Sequence, residues 1–213
     1  DDVTKLVIKS CSKKRLSPKP GQFAFLAFPD SPNLTEPHPF TIAESDKAGN
    51  LTFFIKASGD FTMSVAADLV INAKVRVEGP HGKFLLPEKP SRHTIWIAGG
   101  IGVTPFISFS TSLAARNTKV SMLYVVKSRS QAFGVNFFEK LANFNKDFYL
   151  KIISTNEDGR PNAKTVSSLL PRDCTEVDVY FCGPVKLREA CKQHLSQLGI
   201  KVRKMNFEVF AFR

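Results

Sequence analysis

Thr94-Ile95-Trp96-Ile97-Ala98-Gly99-Gly100-Ile101-Gly102-Val103-Thr104-Pro105-Phe106 is the stretch on which the fold turns. Residues 94–98 form a short apolar run of the kind a buried parallel strand needs. Gly99, Gly100 and Gly102 then allow a sharp turn, and apolar residues from 103 to 115 recur at helical spacing. Pro105 suits a first helical turn, where its missing N–H costs nothing. A strand that turns directly into a helix N-terminus leaves backbone N–H groups pointing outward. The stretch is therefore predicted to cradle phosphate oxygens.

Downstream, the same rhythm repeats. Strands are predicted at 94–98, 119–126, 148–154, 176–182 and about 202–212, with helices at 103–115, 131–142, near 162–169 and 184–197. Strands alternating with helices predict an α/β doubly wound parallel sheet over residues 90–213. Upstream the pattern is different. Residues 3–8, 23–28, 40–43, 51–56 and 74–78 read as strands, with turn residues at 46–50 and one short helix from Asp60 to Leu69, for which Asp60 is the expected N-cap. Residues 1–89 are thus predicted to be a small antiparallel β-barrel with one helix, joined to the second domain by Pro87-Glu88-Lys89-Pro90-Ser91.

Bulk properties narrow the class. The chain has 213 residues, 43% of them apolar, and a net charge of +11. That length allows one or two domains with a substantial core. The charge suits anionic ligands, an acidic partner or an anionic membrane face, or simply a lysine-rich solvated surface. No apolar run reaches the length of a bilayer span, and no secretory signal is visible. The start at Asp1 without methionine suggests a domain excised from a longer protein. Cys11, Cys174, Cys182 and Cys191 lack zinc or iron–sulfur spacing and read as reduced thiols, and no metal-ligand set is predicted.

The glycine turn runs Gly100-x-Gly102-x-x-Pro105 rather than G-x-G-x-x-G, so alone it fits either a phosphate cradle or a tight connection. An NAD site usually carries an acid about 20 residues on, at the end of the second strand. That strand ends Lys127-Ser128-Arg129-Ser130, without a carboxylate; these residues suit a 2′-phosphate, and so NADPH over NADH, although a solvated basic loop has the same composition. Cys182-Gly183-Pro184 ends the fourth strand at the ligand edge, where Cys182 is either a structural thiol or a cofactor contact. In the first half, His38-Pro39-Phe40-Thr41 offers a flat ring and a hydroxyl. Lys56 with Gly59-Asp60-Phe61-Thr62 offers either a second phosphate site or a helix cap.

In order, the H-P-F-T box, the G-D-F-T helix start, the G-P-x-G turn, G-G-x-G-x-T-P, the S-R loop, C-G-P and a terminal E-V-F resemble the ferredoxin–NADP⁺ reductase superfamily. The H-P-F-T box is most similar to the C-terminal dehydrogenase domain of NADPH oxidases and ferric reductases. The resemblance covers nearly the whole chain. It implies an antiparallel β-barrel of six strands and one helix with FAD bound in it: Phe40 against the isoalloxazine, Thr41 near flavin N5, His38 beside the ribityl or pyrophosphate, and Pro39 among the cofactor-binding residues. It also implies Lys56 and Thr62 at the pyrophosphate, with Ile55 a further cofactor-binding residue, Phe61 toward the adenine, and His81 and Gly82 at the flavin edge between the domains. His38 and Phe40 stand where most of the superfamily has arginine and tyrosine, which bears on how tightly flavin is held.

For the second domain the resemblance implies NADPH, with NADH possible. Gly99, Gly100, Gly102, Thr104 and Pro105 would hold its pyrophosphate and ribose, Lys127, Ser128 and Arg129 its 2′-phosphate, and Cys182, Gly183 and Pro184 the nicotinamide end. Phe210, or its rival Phe212, would cover the flavin. Thr41, Cys182 and Phe210 are the expected catalytic set.

The resemblance implies a flavin-dependent dehydrogenase that moves a hydride from NADPH to FAD and single electrons onward. The expected acceptor is the haem of a membrane domain in the same full-length chain, reducing oxygen to superoxide or ferric iron, with this fragment a cytosolic domain at the inner membrane face. The alternative is a free-standing NAD(P)H–flavin or ferredoxin-type reductase. No helix-turn-helix or aromatic RNA-binding box supports a nucleic-acid partner, and no G-x-S-x-G elbow supports a hydrolase.

Overall fold

The computed structural model describes residues 2–11, 15–87, 93–113 and 119–208. The chain divides into two compact units between Leu85 and Leu86. The boundary expected at 89/90 lies outside the described residues.

The first unit holds β1 (Val3–Ile8), β2 (Phe23–Ala27), β3 (His38–Thr41), β4 (Glu44–Ser45), β5 (Leu51–Lys56), α1 (Asp60–Ala67) and β6 (Arg76–His81). They form two three-stranded antiparallel sheets, ordered β1-β5-β4 and β3-β2-β6. Leu26, Phe28, Leu34, Ile42, Phe53, Ile55, Phe61 and Val65 make its core. The β4–β5 turn is closed by Asp46, whose carboxylate accepts bonds from the Asn50 backbone N–H (2.8 Å) and side-chain amide (2.7 Å), with Gly49 at φ +87°.

Helix α1 buries Phe61 and Val65, one turn apart on one face. Its N-cap is Gly59, in extended conformation, and not Asp60, which is the first helical residue. The cap is completed from inside the helix. Thr62 Oγ1 accepts from the N–H groups of Ser58 (2.9 Å) and Gly59 (3.0 Å) and donates to the Gly59 carbonyl (2.9 Å).

The second unit alternates β7 (Thr94–Gly99), α2 (Thr104–Leu113), β8 (Val120–Val126), α3 (Val135–Phe144), β9 (Phe148–Ser154), α4 (Ala163–Ser167), β10 (Glu176–Cys182), α5 (Val185–Gln197) and β11 (Lys201–Glu208). All five strands are parallel, ordered β11-β10-β7-β8-β9. β7 and β8 are buried along nearly their whole length, as a sheet covered on both faces requires. One face presents Ile95, Ile97, Leu123, Val179 and Phe181 to Val166, Leu169, Cys191 and Leu195 of the α4–α5 side. On the other, Trp96 lies 5.5 Å from both Phe106 and Phe109 of α2 and 6.0 Å from Phe148, measured between ring centroids. Fully burying rings of this size contributes about 2–3 kcal/mol each.

This is the expected architecture. The strand order reverses between β7 and β10, where the chain goes one way to β8 and β9 and the other to β11. That reversal is the switch point of a doubly wound sheet and opens a crevice at the strands' C-terminal ends. No helix of the described residues is long and apolar enough to cross a membrane.

Candidate functional site

At the switch point the loops leaving β7 and β10 meet through bare backbone. A Cβ on Gly102 would stand 2.4 Å from the Cys182 carbonyl oxygen and 2.7 Å from its carbon. A Cβ on Gly99 would stand 2.6 Å from Pro184 Cδ, and one on Gly183 2.9 Å from the Gly99 nitrogen. The glycines are thus required by packing. Gly100, at φ +54°, has open space where its Cβ would be, so the tip of the turn is clear for a ligand. Residues Gly100–Val103 form a 3₁₀ turn leading into α2. Thr104 is buried, and its hydroxyl donates to the Ile101 carbonyl (3.2 Å), so it braces the turn. Pro105 is buried in the first turn of α2, whereas Pro184 caps α5 in exposed, extended backbone.

Cys182 is fully buried at the end of β10, paired with Ala98 on one side and Glu208 on the other. Burial, with a contribution from the Glu208 charge, raises its thiol well above the ordinary range, so it is a neutral S–H at physiological pH. Glu208 is itself pushed up to about 7 by burial. Its Oε2 is buried with no hydrogen-bond partner among the described residues. Sequence reasoning left Glu208 out of the candidate set. The parallel endings of β10 and β11 were the signal that could have placed it beside Cys182. Phe210 and Phe212 lie outside the described residues.

The basic loop after β8 has an arrangement the sequence did not indicate. Arg129 Nε lies 2.8 Å from Glu157 Oε2, and its Nη2 donates to both carboxylate oxygens of Asp158 at 2.9 Å. Glu157 and Asp158 follow β9, the neighbour of β8. Ser128 Oγ and Ser130 Oγ are hydrogen-bonded to each other (2.9 Å), and Lys127 is exposed.

In the first unit the His38-Pro39-Phe40-Thr41 box is β3, on the edge of its sheet. His38 stacks on Phe61 with ring centroids 3.9 Å apart and 19° between planes, and Phe40 lies 6.0 Å from the same ring. Phe61 is buried in the core, beneath these two rings. Ile55 is a core side chain as well, 2% exposed. Lys56 forms an ion pair with Asp2 (3.1 Å), and the Thr62 hydroxyl is taken up by the α1 cap. Thr41 Oγ1 is different: it is buried with no hydrogen-bond partner among the described residues. His81 packs between Phe23 and Phe25, with its Nε2 buried and 3.8 Å from Glu78 Oε1, and Gly82 at φ +101° packs on Phe23.

Against known families, the FAD-binding domain matches residues 1–85 and the oxidoreductase NAD-binding domain matches residues 96–193. The chain belongs to the ferredoxin–NADP⁺ reductase superfamily. It is 28% identical over 214 residues to the toluate 1,2-dioxygenase electron transfer component of Pseudomonas putida, covering 97% of this chain and 62% of that protein. It is 25% identical over 189 residues to NADH-cytochrome b5 reductase 1 of Pyricularia oryzae, covering 80% and 61%. The chain thus spans about three fifths of these relatives' length. In fold it matches the flavohem-like FAD/NAD-binding domain of nitric oxide dioxygenase from Vibrio cholerae O1 biovar El Tor, with a TM-score of 0.80, 20% identity, and 99% and 93% of the two chains covered.

As a member of that superfamily the chain carries FAD- and NAD-binding domains, and its residues fit both groups. A hydroxyl at Thr41 that is buried without a partner among the described residues, and the open Gly100 tip of the glycine turn, are features that such ligands would complete. The match is to FAD-dependent NAD(P)H oxidoreductases generally. It does not single out the NADPH oxidase branch.

Proposed function

We propose that the chain is the NAD(P)H-oxidising module of an electron-transfer system, serving a haem- or iron-centred partner. What supports this reading most directly is the switch point of the second unit, where Gly102 lies against the Cys182 backbone and Gly183 against the Gly99 backbone while the Gly100 tip of the turn stays open. The relatives add weight, since one is named an electron transfer component of a dioxygenase and another a cytochrome b5 reductase.

When bound, FAD takes a hydride from the nicotinamide ring and gives up its electrons singly, which is the chemistry a one-electron partner needs. The chain's residues bind and orient. Thr41 Oγ1 offers a hydrogen bond to the flavin ring, and Phe40 presents a half-buried aromatic face beside it. Gly100, open at the tip of the turn, lets the dinucleotide backbone approach α2, while Gly99 and Gly102 let the turn close on the β10 loop. Cys182 stays protonated and uncharged beside the nicotinamide end. Glu208, close to half-protonated at neutral pH, holds a proton next to it.

A second reading keeps this chemistry and makes the partner a haem domain in a membrane, with oxygen or ferric iron as final acceptor. Its support is the likeness of the His38–Thr41 box to NADPH oxidases and ferric reductases. The relatives favour a dioxygenase or cytochrome b5 type of partner instead.

The test is to load the chain with FAD, add NADH or NADPH without oxygen, and follow the flavin absorbance. Bleaching, followed by recovery when a haem protein or ferricyanide is added, is the expected result. A chain that takes up no FAD, or holds flavin that neither dinucleotide reduces, would falsify the proposal.

A further inference from the structure

The loops after β8 and β9 leave the same edge of the sheet as the glycine turn, because the two strands are in parallel register up to Val126 and Ser154. The first loop carries Lys127, Ser128, Arg129 and Ser130, and the second carries Glu157, Asp158 and Arg160. We propose that Glu157 and Asp158 determine which nicotinamide dinucleotide is accepted, by competing with a 2′-phosphate for the Arg129 guanidinium. This rests on reading the second unit as the dinucleotide site.

The carboxylates are built in. Asp158 chelates Arg129 Nη2 with both oxygens at 2.9 Å, while its Oδ2 also accepts the Ser154 N–H at 2.8 Å. Its own backbone N–H donates to the Ser154 carbonyl at 2.7 Å. Glu157 Oε2 meets Arg129 Nε at 2.8 Å, and its Oε1 accepts the Arg129 backbone N–H at 3.2 Å. The loops are further tied where the Lys127 carbonyl accepts from Asn156 N–H and Ser154 Oγ, both at 3.0 Å. Two carboxylates therefore share one guanidinium, on which bidentate recognition of a phosphate would depend.

The three charges sum to minus one. A dianionic 2′-phosphate must either pull Arg129 away from both acids or sit beside them, with exposed Lys127 and Arg160 in the same two loops to offset part of the repulsion. A free 2′-hydroxyl carries no charge and finds carboxylate oxygens to donate to. The acids thus remove the advantage that the basic composition of the loop gives to NADPH. They do so from 28 and 29 residues down the chain, outside the position where a dinucleotide-selecting acid is usually sought. Both acids and Arg129 are partly exposed, so solvent screening keeps the effect moderate.

The experiment measures Kd for AMP and for adenosine 2′,5′-bisphosphate on the full chain. The variants are Glu157→Gln, Asp158→Asn, both together, and the pair combined with Arg129→Ala. The double variant is expected to bind the 2′-phosphorylated ligand about tenfold tighter while AMP changes by less than about threefold, and adding Arg129→Ala should erase the gain. KM for NADPH should fall relative to NADH in parallel. Asp158 also braces its loop, so Glu157→Gln alone carries the test if the Asp158 variant unfolds; its gain should be smaller and in the same direction. An unchanged ratio of the two Kd values, or a gain that survives Arg129→Ala, overturns the proposal. A native chain that binds neither ligand overturns the dinucleotide-site reading and this proposal together. Binding of both at a ratio indifferent to the acids overturns only this one.

Discussion

Glu208 shows how one residue's burial becomes a property of the protein. Its folded pKa, about 7, lies above the ordinary value of 4.5 because burial disfavours the carboxylate. Below pH 4.5 the carboxyl is protonated whether the chain is folded or not. Between 4.5 and 7 the unfolded chain releases the proton while the folded chain keeps it, so stability falls as pH rises through that window. The penalty is complete above 7 and is on the order of 1–2 kcal/mol once solvent screening is allowed for. His93 works in the opposite direction: desolvation lowers its pKa, which favours the neutral ring and costs stability in acid. The clean measurement is therefore a difference. Denaturant unfolding of the native chain and of Glu208→Gln from pH 4.5 to 8 should show the variant gaining relative stability as pH rises. Curves that stay parallel across the range would mean that Glu208 titrates normally.

At the level of elements, the meeting of the β7 and β10 loops carries a sharp prediction. A methyl at Gly102 would enter the Cys182 carbonyl, and only backbone movement relieves that. Gly102→Ala should destabilise the chain by about 2–4 kcal/mol and weaken dinucleotide binding. Gly100→Ala meets open space and bears only the strain of its positive φ, about 1–2 kcal/mol. Thermal unfolding of the two variants side by side checks the order; equal losses would mean the loops part easily. The five-strand alternation was legible because periodicity and turn residues are local. What escaped was set by partners distant in sequence. β6 was expected at 74–78 as a strand ending in a Gly-Pro turn. It runs Arg76–His81, because Phe23 of β2 pairs with His81 past an irregular register. β3 admits Pro39 since it lies on a sheet edge. α3 begins at Val135 and not 131: Arg129–Gln131 forms a 3₁₀ turn, and Gly134 at φ +72° starts the helix against Ile107. In the candidate site, the glycines and Cys182, which meet at the switch point, were legible by type and spacing. The acids that hold Arg129 did not, because nothing local connects residues 157 and 158 to 129.

Across the whole molecule the dominant quantity is charge. At +11 the chain sets up a field that attracts anions over distances comparable to the Debye length, about 10 Å at 0.1 M salt. Lys186 and Lys192 of α5 and Lys201 and Lys204 of β11 are all exposed, so one edge of the second unit contributes strongly to it. A partner that receives electrons must first arrive, and the field favours an acidic one. The reductase reading then makes a prediction that needs no knowledge of the natural acceptor. With FAD and NAD(P)H saturating, the second-order rate of ferricyanide reduction should fall several-fold as salt rises from about 0.02 to 0.5 M, because screening removes the attraction. A positively charged haem acceptor should show the reverse trend, its rate rising as repulsion is screened. The opposite signs matter more than either slope, since salt acting on the flavin site or on stability would move both rates the same way. If both acceptors respond alike, the net charge does not steer electron transfer, and the acidity of the partner has no support from it.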